Sequence, residues 1–131
     1  MCLLDHGASV SIINETIVET LGMKIKQSSK QITGFNGKSQ VVYGYVTCEV
    51  ILSTLAPSKR LEMDLYVVEI KYPILLGYDV IKSLGLIVDA KQSLIIWDRN
   101  SCGYGKDLID DKITLKQIDN LILFKEVSWI D

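Results

Sequence analysis

Residues 3–13 read LLDHGASVSII: two leucines lead into Asp5, and Gly7 and a run of small residues follow it. A carboxyl group at the end of a buried strand is a candidate acid or base, because burial raises its pKa unless charges or hydrogen-bond donors compensate. Gly7 lets the backbone turn tightly and leaves amide groups facing the carboxylate. Asp-x-Gly also occurs in ordinary turns. Other motifs in the chain are therefore needed to distinguish a catalytic carboxylate from a turn residue.

The composition excludes several classes of function. The 131 residues fit one main domain, and 48% hydrophobic with 23% charged residues is typical of a folded protein. The net charge is −2 and the 14 basic residues are scattered, so we expect no nucleic-acid partner. Three cysteines at irregular spacings favour free thiols in a reducing compartment. Without a long apolar run or a signal segment, we expect a cytoplasmic protein with no membrane partner.

The distribution of strand-forming residues predicts a mostly β protein. The expected strands cover residues 1–4, 41–52, 61–68, 86–90 and 93–97. An Asn-Gly pair predicts a hairpin tip within residues 33–40, and residues 53–60 form a polar surface loop.

Two short helices are expected between these strands. The first covers residues 12–21 and stops at Gly22. The second covers residues 79–84, with Asp79 capping its first turn and Gly85 ending it. After Trp97 a linker-like stretch leads into a tail whose periodicity fits a strand pair and an amphipathic helix equally well.

Three motifs follow one another along the chain: LLDHGASVSII at 3–13, GFNGKSQVVYGYV at 34–46 and YPILLGYDVIKSLGLIVDAKQSLII at 72–96. Their order and intervals resemble those of the retropepsin-like aspartic proteases, above all those of long-terminal-repeat retrotransposons and retrovirus-like elements. The resemblance implies an all-β fold, a closed acid-protease β-barrel with one or two short helices. It covers residues 1–98, and residues 99–131 are then a linker and C-terminal extension.

The resemblance also implies an activity, an aspartic endopeptidase that cleaves peptide bonds of the polyprotein containing it, without metal or cofactor. The chain has one Asp-x-Gly of this kind, so two copies of Asp5 in a homodimer would activate the water. By the same comparison Gly7 and Ala8 lie beneath the substrate and Leu75 forms an apolar wall of its pocket. The flap tip, which covers the peptide, comprises Phe35, Asn36 and Gly37. Such an enzyme would be intracellular, in some cases within a virus-like particle.

Two departures from the family pattern leave alternatives open. His6 stands where these proteases have Thr or Ser, so a catalytically impaired dimerisation or peptide-binding module is the rival hypothesis. The family also has a strand and hairpin before the catalytic aspartate, whereas Asp5 is the fifth residue here. Either the chain is a fragment with an open sheet edge, or residues 99–131 replace that strand. A third hypothesis is an unrelated small β-barrel that binds a ligand.

Other polar residues have structural interpretations. Asp79 is expected to be a helix cap and Asp89 a polar residue beside a turn. Ser9 and Ser11 have no His or Lys at a triad interval, and Cys102 is expected to be an unreactive thiol.

Overall fold

The computed structural model describes residues 2–27, 32–33, 39–106, 108–118 and 125–127. In this part of the chain the strands are β1 (Cys2–Leu4), β2 (Ile12–Asn14), β3 (Ile32–Thr33), β4 (Ser39–Gln40), β5 (Val42–Leu52), β6 (Ala56–Val68), β7 (Ile74–Leu76), β8 (Ile87–Asp89), β9 (Leu94–Trp97), β10 (Asn100–Gly105), β11 (Leu108–Ile109), β12 (Ile113–Gln117) and β13 (Lys125–Val127). The helices are α1 (Glu15–Leu21) and α2 (Tyr78–Leu84).

The all-β class with two short helices is confirmed. Eleven of the described strands form one sheet, in the order β13-β12-β5-β6-β2-β7-β1-β11-β10-β9-β8, and β3 pairs with β4 separately. The expected closure into a barrel is not seen among these strands. Closure requires the two end strands to pair, whereas the described β13 and β8 lie at opposite ends of an open order.

Strand β7 lies between the two strands that flank the Asp5 loop. It runs parallel to β1, with Leu3 opposite Leu75, and antiparallel to β2, with Ile12 opposite the same Leu75. Strand β7 was not predicted from the sequence, because its three residues are too few for a periodic pattern. These two pairings bring the Asp5 loop and the start of α2 to the same end of the sheet.

The strands of the C-terminal extension join the same sheet. Strand β11 pairs with β1, with Cys2 opposite Ile109, and β12 pairs with β5 over five residues. The tail therefore forms strands where it is described, and the helical alternative is wrong there. Both edges of β1 are paired, one with β7 and the other with β11, so the open edge expected of a fragment is absent at this strand.

Alternation along β5 and β12 builds the main core. Every second residue of β5 from Val46 to Leu52 is buried, as are Ile113, Leu115 and Gln117 of β12. Strand β6 begins at Ala56, so the loop predicted over 53–60 is wrong for its second half. Pairing of β6 with β5 extends to Leu52 opposite Ala56, and such non-local pairing is invisible in local composition.

The helix ends follow the sequence signals in part. Both helices stop at the expected glycines, Gly22 and Gly85. Helix α1 begins at Glu15, later than predicted, because Ile12–Asn14 is strand and the Asn14 side chain accepts a hydrogen bond from the Thr16 N–H. Neither helix in the described residues is long and apolar enough to span a membrane.

Candidate active site

Asp5 lies directly after β1, where its backbone and side chain are both held. Its N–H donates to the Leu76 carbonyl at 2.9 Å, which continues the pairing of β1 with β7 by one residue. Its carboxylate Oδ1 accepts a hydrogen bond of 2.8 Å from the Gly7 N–H. The Asp5 carbonyl accepts from the Ala8 N–H at 3.3 Å, which closes the turn. The half-buried carboxylate is thus oriented by its own turn.

Gly7 permits the close approach of the backbone to this carboxylate. A Cβ atom at position 7 would lie 3.3 Å from Asp5 Oδ1, a tighter contact than side chains usually make. Glycine therefore brings its N–H to the carboxylate without a competing side chain. The sequence-based expectation that amides at Gly7 face Asp5 is confirmed.

The loop that carries Asp5, residues 5–11, contacts the junction between β7 and α2. The Tyr78 N–H donates to the Ala8 carbonyl at 2.7 Å, and the Gly77 N–H donates to Ser11 Oγ at 3.0 Å. A Cβ atom at position 77 would come within 2.6 Å of the Val10 carbonyl oxygen. Only glycine fits between the loop and the helix start, so Gly77 fixes how closely the two approach.

Ser11, which is buried, and Asp79, which is half-buried, form a polar pair beneath the loop. Ser11 is fully buried, and its hydroxyl donates to Asp79 Oδ1 at 2.8 Å. The same carboxylate oxygen accepts from the Val80 N–H at 2.9 Å. The prediction that Asp79 caps α2 is wrong in its position: the N-cap is Gly77, and Asp79 lies inside the first turn. This role of Ser11 was not predicted, although a serine between the apolar residues Val10 and Ile12 is a signal of a buried hydroxyl.

A second apolar cluster adjoins the Asp5 loop on the side opposite the main core. Leu4 and Leu76 point into the main core, whereas their neighbours Leu3 and Leu75 belong to a second cluster. The buried members of this second cluster are Leu3, Ile12, Val68 and Leu75, and the partly buried ones are Ala8, Val42, Ile70, Tyr72 and Leu108. The structure therefore brings two predicted substrate-binding residues, Ala8 and Leu75, into one apolar cluster.

No protein-family model matches the sequence. No curated protein matches it either. Among solved structures, the chain is similar to the crystal structure of the retroviral protease-like domain of Ddi1 from Leishmania major. The TM-score is 0.57 and the sequence identity 19%, with 82% of this chain and 85% of that chain covered.

The chain has a retropepsin-like fold. At this identity the likeness extends to the arrangement of strands and not to the chemistry of individual side chains. The expected fold is confirmed, and the expected activity has to be argued from the site itself.

The antiparallel pairing of β3 with β4, in which Thr33 lies opposite Ser39, agrees with the hairpin predicted over residues 33–40. The predicted flap-tip residues, Phe35, Asn36 and Gly37, lie outside the described residues. His6 is exposed at the Asp5 turn, next to the carboxylate.

The described residues contain no cluster of metal ligands, and two of their three cysteine thiols have raised pKa values. None of the three cysteines forms a disulfide, and all three are buried. Burial raises the pKa of the Cys2 thiol, and burial with the negative charge of Asp111 raises that of Cys102 to about 11. Both thiols stay protonated near neutral pH, which makes them poor nucleophiles. Within the same residues, no three His, Cys, Asp or Glu side chains lie together as metal ligands would.

Proposed function

We propose that this chain is one subunit of an aspartic endopeptidase of retropepsin type. The observation that carries the proposal is the placement of Asp5. Its carboxylate is held by the Gly7 N–H at the end of a buried strand, beside the second apolar cluster, which contains Leu75. The chain supplies one such carboxylate, so the active site needs two copies. A closed twofold dimer, the commonest oligomer, provides them.

The chemistry follows from two like charges at close range. Two Asp5 carboxyl groups at the twofold axis would resist ionising together, so the pair would hold one proton. The ionised member removes a proton from a water molecule, while the protonated member polarises the carbonyl of the scissile peptide bond. The water oxygen then bonds to the carbonyl carbon, and the bond from that carbon to the amide nitrogen breaks as the nitrogen takes a proton from the pair. The products leave as a carboxylic acid and an amine.

The substrate is an extended peptide. A strand-like peptide would be covered by the flap, with its tip at Phe35, Asn36 and Gly37, and would hydrogen-bond through its backbone. Gly7 and Ala8 would lie beneath it, and Leu75 would contact an apolar side chain of the peptide. The proposed substrate is a polyprotein of a long-terminal-repeat element, cleaved inside the cell.

His6 supports a second candidate function, a dimeric peptide-binding module without turnover. The proteases that this sequence resembles have Thr or Ser at this position, where the hydroxyl crosses the dimer axis. Two imidazoles would crowd that axis, and if protonated they would favour ionisation of both aspartates over proton sharing.

Peptide cleavage by the purified protein distinguishes these functions. Wild type and Asp5→Asn are incubated with a peptide library over acidic and neutral pH, with and without a pepstatin-like inhibitor, and their masses in solution are compared. Inhibitor-sensitive cleavage that is lost in Asp5→Asn, with the dimer retained, supports the protease. Saturable peptide binding without cleavage supports the binding module. A monomer that neither cleaves nor binds contradicts both.

A further inference from the structure

The Asp5 loop is attached to the β7–α2 junction at three successive residues. Leu76 accepts from the Asp5 N–H, Tyr78 donates to the Ala8 carbonyl, and Gly77 donates to the Ser11 hydroxyl. The hydrogen bonds of Leu76 with Asp5 and of Tyr78 with Ala8 join backbone groups, so side-chain substitution leaves those groups in place. The third depends on a side chain and is open to mutation.

The Ser11 hydroxyl is both an acceptor and a donor of hydrogen bonds. Its oxygen accepts from the Gly77 N–H at 3.0 Å, and its single proton goes to Asp79 Oδ1 at 2.8 Å. An ionised carboxylate only accepts hydrogen bonds, so the direction of the Ser11 proton is fixed. Asp79 is in turn held by the Val80 N–H at 2.9 Å, within the first turn of α2. The result is a continuous path of hydrogen bonds from the loop into the helix.

We infer that Ser11 and Asp79 are positioning residues for Asp5, because their hydrogen bond fixes the junction on which the catalytic loop rests. The inference rests on the proposed protease function. Ser11 is six positions from Asp5, yet the residue its hydroxyl binds, Gly77, directly follows the Leu76 carbonyl that accepts from the Asp5 N–H.

The expected consequence concerns turnover more than binding. Loss of the Ser11 attachment leaves the Gly77 N–H without its acceptor, and the loop and junction can shift relative to each other. A shift of about 1 Å at a catalytic group is enough to lower a rate by about 100-fold. The second apolar cluster, around Leu75, is built by the pairing of β7 with β1 and β2. Substitution of Ser11 leaves this pairing intact.

The test compares kcat and KM for Ser11→Ala, Asp79→Ala, their double variant and Asp79→Asn. We expect kcat to fall at least about 10-fold in both alanine variants, with KM within about 2-fold. The double variant loses less than the product of the two single losses, because both single variants remove the hydrogen bond between Ser11 and Asp79. Asp79→Asn keeps an oxygen that accepts from Ser11 and Val80, so it retains most of the wild-type kcat.

A control separates positioning from general loss of folding. Ser53→Ala removes a hydrogen bond of 2.9 Å between the hydroxyls of Ser53 and Thr114, far along the sheet at the end of β5. Active sites are counted by titration with a tight-binding inhibitor, so kcat refers to folded enzyme. The inference is overturned if Ser11→Ala keeps kcat within about 2-fold per active site, or if Ser53→Ala loses as much.

If the wild type cleaves no peptide, the proposed protease function fails, but the positioning role of Ser11 can still be tested by amide hydrogen exchange. Amide hydrogen exchange at Gly7 and Gly77 reports the loop directly. We expect faster exchange at both amides in Ser11→Ala and unchanged exchange in Ser53→Ala. Equal protection in wild type and Ser11→Ala contradicts the positioning role whatever the activity.

Discussion

The side-chain amide of Gln117 forms two hydrogen bonds with the backbone of Lys24, 93 positions earlier in the chain. Gln117 Oε1 accepts from the Lys24 N–H at 2.9 Å, and Nε2 donates to the Lys24 carbonyl at 2.6 Å. Gln117 is fully buried at the end of β12. Its amide therefore pairs with Lys24 as a neighbouring strand would, and it joins the C-terminal part of the sheet to the segment after α1.

Gln117→Leu is expected to destabilise the fold by about 1–3 kcal/mol, because the Lys24 N–H and carbonyl lose their partner. The measurement is the free energy of unfolding in denaturant. Gln92→Leu is the matched control, since Gln92 is exposed and uses only its backbone N–H toward Asp89. Its effect should stay within about 0.5 kcal/mol. Equal effects of the two substitutions would contradict this role for Gln117.

Asp111 is a second polar attachment of the C-terminal segment. Its buried carboxylate accepts from three backbone N–H groups, those of Thr54, Leu55 and Lys112, at 2.8, 3.0 and 2.7 Å. Asp111→Asn replaces one accepting oxygen with an NH₂ group, so we expect a loss of about 1–3 kcal/mol in the free energy of unfolding. Asp110→Asn, at the exposed neighbouring position, should change it little. The argument fails if both variants unfold alike.

Gly77→Ala tests the contact between the Asp5 loop and the start of α2. The new Cβ would lie 2.6 Å from the Val10 carbonyl oxygen and 2.7 Å from that of Ala8, and backbone atoms cannot rotate away. We expect a destabilisation of about 1–3 kcal/mol or more, with loss of peptide cleavage. Gly105→Ala is the control, because a Cβ there has nothing within 4 Å. Normal stability and cleavage in Gly77→Ala would show that the loop does not rest on this residue.

The sequence was sufficient for features whose signals are local. The alternation in β5, the glycines that end both helices, and the turn from Asp5 to Gly7 all follow from residues a few positions apart. These features also contain the motifs that resemble retropepsin-like proteases, and so the fold was predicted.

Features that depend on distant partners were missed. Strand β7 is three residues long and is defined by β1 and β2, and the start of β6 is defined by β5. The tail was ambiguous because its pattern fits two structures, and only pairing with β5 decides for a strand. In the candidate site Asp5, Gly7, Ala8 and Leu75 were predicted, whereas the pair of Ser11 and Asp79, 68 positions apart, was not.

The buried thiols give a pH dependence of stability. In the unfolded chain Cys102 ionises near its ordinary pKa of 9.0, whereas burial raises the folded pKa to about 11. Between these values the unfolded state binds fewer protons, so the contribution of Cys102 is complete below pH 9.0 and is lost as the pH rises through about 11. In reductant, wild type should lose stability more steeply than Cys102→Ala over this range. Identical slopes of the free energy of unfolding against pH in the two proteins would contradict this role of Cys102.

His6→Thr is expected to raise dimer affinity, peptide cleavage or both. The change removes a bulky imidazole and restores the hydroxyl that the resembled proteases place across the dimer axis. One buried hydrogen bond of about 1–3 kcal/mol corresponds to roughly 5- to 150-fold in affinity. Because His6 is exposed in the single chain, the free energy of unfolding of the monomer should stay within about 0.5 kcal/mol.

Sedimentation across a concentration series and cleavage per active site provide the measurements for this substitution. His6→Ala separates its two effects, since alanine relieves crowding without supplying a hydroxyl. If only His6→Thr associates or cleaves better than wild type, the hydrogen bond of the new hydroxyl is the cause. If both variants improve equally, the cause is removal of the bulky imidazole. If all three proteins associate and cleave alike, His6 does not face its symmetry mate, and the proposal that it impairs the enzyme is wrong.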